Sequence, residues 1–158
     1  MNMEKIYRQP KRINFIKQGL DKLKQELAQI QETRPAAVKE LSRAREMGDL
    51  SENGLYHAAK ARLRSMDSRI NRIIHMIKVA DVQEAPKNTV GIGSKVVVEQ
   101  DGEKFTYSIV GDYEAKPFEK KISANSPIGR ALVSKKTGET AVFETPKGKI
   151  SLKILEIK

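Results

Sequence analysis

Three carboxylates, Glu46, Asp49 and Glu52, lie in the stretch from Glu46 to Ala59, which contains no Lys or Arg. Carboxylates are hard oxygen donors, so a group of them on a turn can present a divalent cation, or another cationic centre, to a partner. Two acids on a solvated tip are too few to satisfy Mg²⁺ by themselves, because that ion prefers octahedral oxygen coordination and keeps its water. Asp49 and Glu52 also fit a purely structural role. Aspartate at an N-cap with glutamate at the third helical position is the capping-box spacing, worth about 1 kcal/mol to the helix that follows. The two roles are compatible, since capping uses one carboxylate oxygen. Composition alone favours capping; what raises the chemical role is that nothing within the stretch neutralises these acids, although Lys and Arg abound in the flanking segments.

Two long apolar seams flank this turn. Ile16, Leu20, Leu23, Leu27, Ile30, Arg34, Ala37, Leu41, Ala44 and Gly48 recur at steps of three and four, and Tyr56, Ala59, Leu63, Met66, Ile70, Ile73, Ile77 and Ala80 resume the pattern. Joined by a short Gly-containing turn, such seams bury themselves against each other as an antiparallel coiled-coil hairpin over residues 1–79, with the acidic tip at 46–56. Asn14 is the expected cap of the first helix. Arg34-Pro35 predicts a bend within one helix, because proline lacks an N–H and crowds the preceding turn. Met1 to Arg12 reads as a flexible basic leader.

Helical periodicity stops in a linker over 80–89. Beyond it, Lys95–Gln100 and Glu103–Val110 alternate with period two around Asp101-Gly102, the signature of a hairpin with a type I′ turn. Ser126-Pro127 predicts an N-cap and first residue of a short helix reaching about Val133. Turns at Thr137-Gly138 and Pro146-Lys147-Gly148 bound strands near Ala141–Glu144 and Lys149–Ile157. The fold class is therefore α+β, the hairpin being followed by a small, mostly antiparallel sheet domain over 90–158.

The net charge of +10 is unevenly spread: residues 1–79 hold 17 basic against 9 acidic side chains, residues 80–158 hold 13 against 11. The second helix carries Lys60, Arg62, Arg64, Arg69, Arg72 and Lys78 against the single Asp67, which is either a solvated face or a track for a phosphate backbone. The absence of Cys removes disulfides and thiolate metal sites, and no apolar run approaches membrane-spanning length, so the cytoplasm is the expected compartment. His57 and His75 are isolated, and no nucleophile-base motif, phosphate loop or dinucleotide fingerprint is present.

Ala44 to Asn53, followed by Tyr56-His57-Ala58-Ala59-Lys60, resembles the signature of the bacterial GreA/GreB transcript-cleavage factors. Ile109-Val110-Gly111-Asp112, Ile122 to Ile128 and Thr145-Pro146 are similar to the same family's C-terminal domain. The resemblance implies an FKBP-like second domain that docks on bacterial RNA polymerase while the coiled coil enters the secondary channel. It assigns Asp49 and Glu52 to the two tip acids that act in trans, sharing the polymerase's own Mg²⁺ near the nascent RNA 3′ end, so that the factor is not itself the enzyme and binds no cofactor alone. It further implies tip support from Arg45, Asn53 and Tyr56, a basic patch of Lys60, Arg62, Arg64, Arg69 and Arg72, and docking contacts at Asp112, Ser123, Ser126 and Pro127, in a monomer. Leu55 stands where many members have an acid, Ile16 replaces a capping Thr, and the features lean both to GreA and to GreB. The rival readings are an inhibitor of the same architecture, a peptidyl-prolyl isomerase and a plain RNA-binding coiled coil. The retained acids argue against the first, and the few aromatics of residues 80–158 against the second.

Overall fold

The computed structural model describes residues 12–47, 53–146 and 148–158. The leader up to Lys11 and the tip acids Asp49 and Glu52 lie outside them. The chain forms two compact units: Leu20–Lys78, and the described residues up to Gly19 together with Val79–Lys158.

The first unit is a helical hairpin of α1 (Lys17–Glu46) and α2 (Gly54–Lys78). At a 1.5 Å rise the 30 residues of α1 span about 45 Å. Every described seam residue from Leu20 to Ile77 is buried or half-buried, with Ala37, Ala44, Ala59 and Ile73 buried, and Met76, which the seam did not include, is buried as well. α1 runs unbroken through Pro35, as expected of a bend rather than a boundary. Proline has no N–H, so residue 35 cannot give the usual helical bond to the Gln31 carbonyl.

Three ion pairs cross between the helices in descending order and so establish the antiparallel register: Glu26 with Arg69, Arg34 with Asp67, and Glu40 with Arg62. The polar seam position Arg34 is thereby satisfied, its Nε and Nη2 donating to the two Asp67 oxygens at 2.6 and 3.2 Å.

The second unit is built on five strands in the order β5-β4-β3-β7-β6. These are β3 (Lys95–Gln100), β4 (Glu103–Val110), β5 (Lys121–Ser123), β6 (Thr140–Thr145) and β7 (Gly148–Ile157). Alternation buries Val96 and Val98 of β3, Ile109 of β4, Ala141 and Phe143 of β6, and Leu152 and Ile154 of β7. Leu132 of the short helix α3 (Pro127–Leu132) joins this core. Asp101 and Gly102 both have positive φ, 52° and 85°, as a type I′ turn requires. Ser126 caps α3 by accepting from the Gly129 amide at 3.0 Å. Within this five-stranded sheet the pairings are antiparallel except β4 with β5.

Two local expectations are corrected. The segment over 80–89 is not all linker: β2 (Ala80–Val82) pairs in parallel with β1 (Ile13–Phe15), Ile13 opposite Ala80 and Phe15 opposite Val82. Asn14 lies within β1, and the cap of α1 comes from Glu114, 98 residues away, whose Oε2 accepts the Ile16 amide at 3.0 Å. The same oxygen accepts the Gly111 amide at 3.3 Å. Two glycines permit this approach: an added Cβ would lie 1.5 Å from Glu114 Oε1 at Gly19 and 1.9 Å from the Asn14 carbonyl oxygen at Gly111.

Candidate functional site

α1 ends with Arg43 and Arg45 in its last turn, where positive charge complements the helix dipole. Arg45 is exposed beside the tip. α2 starts at Gly54, so its cap position is Asn53, whose Oδ1 accepts the Tyr56 amide at 3.0 Å. The capping box assigned to Asp49 and Glu52 is thus corrected, because the helix begins later than that spacing requires and already has a cap. The Asn53 Nδ2 donates to the Ala44 carbonyl at 2.6 Å, closing the far side of the turn. Tyr56 is half-buried, with His57 edge-on at 5.6 Å between ring centroids and the Lys60 ammonium 5.7 Å from its ring centroid.

The basic flank of α2 divides into two sets. Arg69 makes a two-pronged pair with Glu26, Nε to Oε1 at 2.6 Å and Nη2 to Oε2 at 2.8 Å, and Arg62 Nη1 meets Glu40 at 2.7 Å. The hydrogen bond from Arg69 is the main reason the Glu26 carboxyl is held below its ordinary range, and the bond from Arg34 does the same to Asp67. Arg64 and Arg72 are exposed and make no ion pair among the described residues. Sequence reasoning did not find this division, because the acids that engage Arg69 and Arg62 stand on α1, while Asp67, the lone acid on α2, pairs with Arg34.

In the sheet unit the four residues Asp112, Ser123, Ser126 and Pro127 come together on one surface turn. Ser123 Oγ donates to Asp112 and accepts the Asn125 amide, and Asn125 Nδ2 donates to the second Asp112 oxygen at 2.8 Å. Ser126 Oγ donates to the Ser123 carbonyl at 2.7 Å, and Pro127 opens α3. Gly129 allows α3 to sit on this turn, since a Cβ there would lie 2.0 Å from the Ser123 carbonyl oxygen. Alongside is an apolar cavity of about 360 Å³ walled by Ile122, Pro127, Ile128 and Phe143, and Phe118 nearby in sequence is wholly exposed.

Among the described residues no group of three His, Cys, Asp or Glu side chains is placed to hold a metal ion, and no helix is long and apolar enough to cross a membrane. The arrangement is one of surfaces: an acid-bearing tip on a hairpin, a flank of cations, and a polar turn beside an apolar cavity.

Comparison with known proteins agrees with this division. Residues 14–82 match the N-terminal domain model of transcription elongation factors, and residues 85–158 match the GreA/GreB C-terminal domain model. The two matches together define the class as transcription elongation factors. Transcription elongation factor GreA of Caldanaerobacter subterraneus subsp. tengcongensis is 44% identical, covering 89% of this chain and 94% of that protein. The GreA of Thermosipho africanus is 40% identical over 100% and 99% of the two chains, and that of Thermomicrobium roseum 39% over 93% and 97%. A solved structure, GreA factor homolog 1 of Thermus thermophilus, is 28% identical, covers 94% of this chain and 99% of that one, and superposes with a TM-score of 0.44. The chain belongs to the GreA/GreB family.

Proposed function

We propose that this chain binds bacterial RNA polymerase through its sheet unit, inserts the hairpin into the secondary channel, and stimulates the polymerase's own cleavage of backtracked RNA through Asp49 and Glu52. The observation that carries the reading is the cap of α2. Asn53 performs the duty that competed for the two acids, so their presence is left to chemistry rather than to helix termination. The donor set fits a shared ion and not a private one: two hard carboxylates complement Mg²⁺ only when a partner supplies the remaining ligands. Asp49 and Glu52 would help hold such an ion, which when bound would supply an activated water and stabilise developing charge.

The residues of this chain do the rest. Asp49 and Glu52 lend negative charge at the tip, while Arg45, Asn53 and Tyr56 hold its base. Asp112, Ser123, Ser126 and Pro127 dock on the polymerase, with the adjoining cavity receiving an apolar side chain. Lys60, Arg64 and Arg72 are the cations left to meet the nascent RNA backbone, whereas Arg62 and Arg69 are engaged across the hairpin. The factor works as a cytoplasmic monomer and is not itself a nuclease.

The test is a stalled, backtracked complex to which wild-type, Asp49→Asn or Glu52→Gln protein is added. Wild type should shorten the RNA from its 3′ end, and both variants should bind without doing so. Variants that cleave at the wild-type rate would overturn the role of the acids, and a wild type that blocks synthesis without shortening RNA would make the chain an inhibitor.

A further inference from the structure

We propose that a groove on one face of the hairpin, between α1 and α2, is a docking site for an acidic amphipathic helix of the polymerase. The identity of that partner rests on the hairpin insertion described above, whereas its chemistry is read from the groove itself. The groove encloses about 600 Å³ and its lining residues all belong to the hairpin unit. Small side chains form much of it, Ala44 and Ala59 buried on the seam and Ala36 and Ala58 exposed beside them. Two large apolar side chains also line it while standing in solvent, Met47 at 70% and Leu55 at 63% exposure.

A hairpin needs one apolar stripe on each helix to bury against the other. Ala36, Met47, Leu55 and Ala58 lie off that stripe and widen it into a second apolar face, the kind of surface that marks an interaction site. From Ala36 to Met47 the face follows α1 for about three turns, or roughly 16 Å. Alanines along it let a third helix approach to the usual interaxial distance of about 8–10 Å. Met47, flexible and polarisable, can adapt to whatever apolar anchors that helix brings.

Charge selects the occupant. Glu40 and Arg62 line the groove but neutralise each other at 2.7 Å. Lys39 and Arg43 are exposed and make no ion pair among the described residues. Four positions apart, they rise about 6 Å along one side of α1 and so match two acids one turn apart on a partner helix. A second copy of this hairpin is a poor occupant, since residues 1–79 hold 17 basic against 9 acidic side chains, and the chain's own leader is basic as well. Nucleic acid would also welcome the cations, but none of the described lining residues is aromatic, so a base has no ring on which to stack.

Full-length Lys39→Glu/Arg43→Glu and Ala58→Arg are titrated on backtracked complexes beside wild type, and half-saturating concentration, maximal cleavage rate and helicity are read at low and high salt. Helicity should hold, because all three positions are exposed and the new residues are good helix formers. The double reversal should raise half-saturation about 10-fold or more at low salt, by setting like charge against the partner's acids, and less at high salt. Ala58→Arg separates shape from charge: it adds a cation but fills the groove, so half-saturation should again rise by about 10-fold. Both should leave the maximal rate unchanged. A photoreactive residue replacing Ala36 then reports the occupant in the bound complex, and linkage to a polymerase helix with Asp or Glu on successive turns is expected. Linkage to RNA or to a second copy, no linkage while the factor is bound, unchanged half-saturation in both variants, or tighter binding by Ala58→Arg each overturns the groove and leaves hairpin insertion standing. A wild type that neither binds the complex nor shortens its RNA overturns the insertion reading and the proposal with it.

Discussion

Replacing Gly19 by Ala adds one methyl group where the first turn of α1 meets Glu114, and the structure sets its sign. In an ordinary helix the change is stabilising by roughly 0.5–1 kcal/mol, because glycine loses more backbone freedom on folding. Here the new Cβ would lie 1.5 Å from Glu114 Oε1, so the carboxylate must leave its place. Displacing it breaks the bonds to the Ile16 and Gly111 amides. A lost cap costs about 1–2 kcal/mol, which exceeds the gain, so Gly19→Ala should destabilise by about 1 kcal/mol. In a Glu114→Ala background the clash is gone and the same change should stabilise by about 0.5–1 kcal/mol. Thermal unfolding of the four proteins, followed through the tyrosine signal of the sheet unit, reads the cycle. A shift of about 4–8 °C per kcal/mol is expected for a unit of this size. Faster hydrogen exchange at the Ile16 amide in Gly19→Ala would locate the effect. If Gly19→Ala stabilises in both backgrounds, Glu114 does not hold the start of α1 and the reasoning fails.

Glu114 also has a distinct pH signature: burial pushes its carboxyl up, opposed by the Ile16 and Gly111 amides and by Lys121. A raised carboxyl binds its proton more tightly in the folded protein, so its contribution is most favourable below the ordinary 4.5 and falls as pH rises through the raised value. Glu114→Gln should therefore gain stability relative to wild type as pH goes from 4 to 8, and a pH-independent difference would refute this. Glu119 behaves oppositely, held down at about 2 chiefly by Lys121 and then by Lys116. Its contribution is present above 4.5 and is lost as pH falls towards 2, which a carboxyl NMR titration of wild type and a melt of Glu119→Gln would check. Replacing Arg64 and Arg72 by Gln should weaken cleavage on deeply backtracked complexes with little change in melting temperature. Arg69→Gln should instead cost about 0.2–1 kcal/mol of hairpin stability, because it strands Glu26; the reverse assignment would show that the exposed arginines are not the RNA-facing set. Gly129→Ala should destabilise the sheet unit by about 1–3 kcal/mol, because its Cβ would meet the Ser123 carbonyl at 2.0 Å, and docking on the polymerase should weaken with it.

The hairpin was legible because a seam is a local pattern. Leu20 to Leu41 and Tyr56 to Ile77 repeat at helical spacing whatever their surroundings, and each described member is buried or half-buried. Asp101-Gly102 and Ser126-Pro127 were legible for the same reason, since positive φ and capping are properties of a few adjacent residues. Tertiary structure decided what depends on distance through space. The three-residue strands β1 and β2 are too short to show a period and exist only because each pairs with the other. Asn14 was the local candidate to cap α1, yet the cap is Glu114, which no spacing rule reaches across 98 residues. At the tip the Asp49-to-Glu52 spacing matched a capping rule, but Asn53 holds the cap position and also reaches the Ala44 carbonyl of the opposing helix. The basic track was equally readable as composition. Which of its arginines remain available was settled by where Glu26 and Glu40 stand on α1, a matter of register between two helices that neither helix encodes by itself.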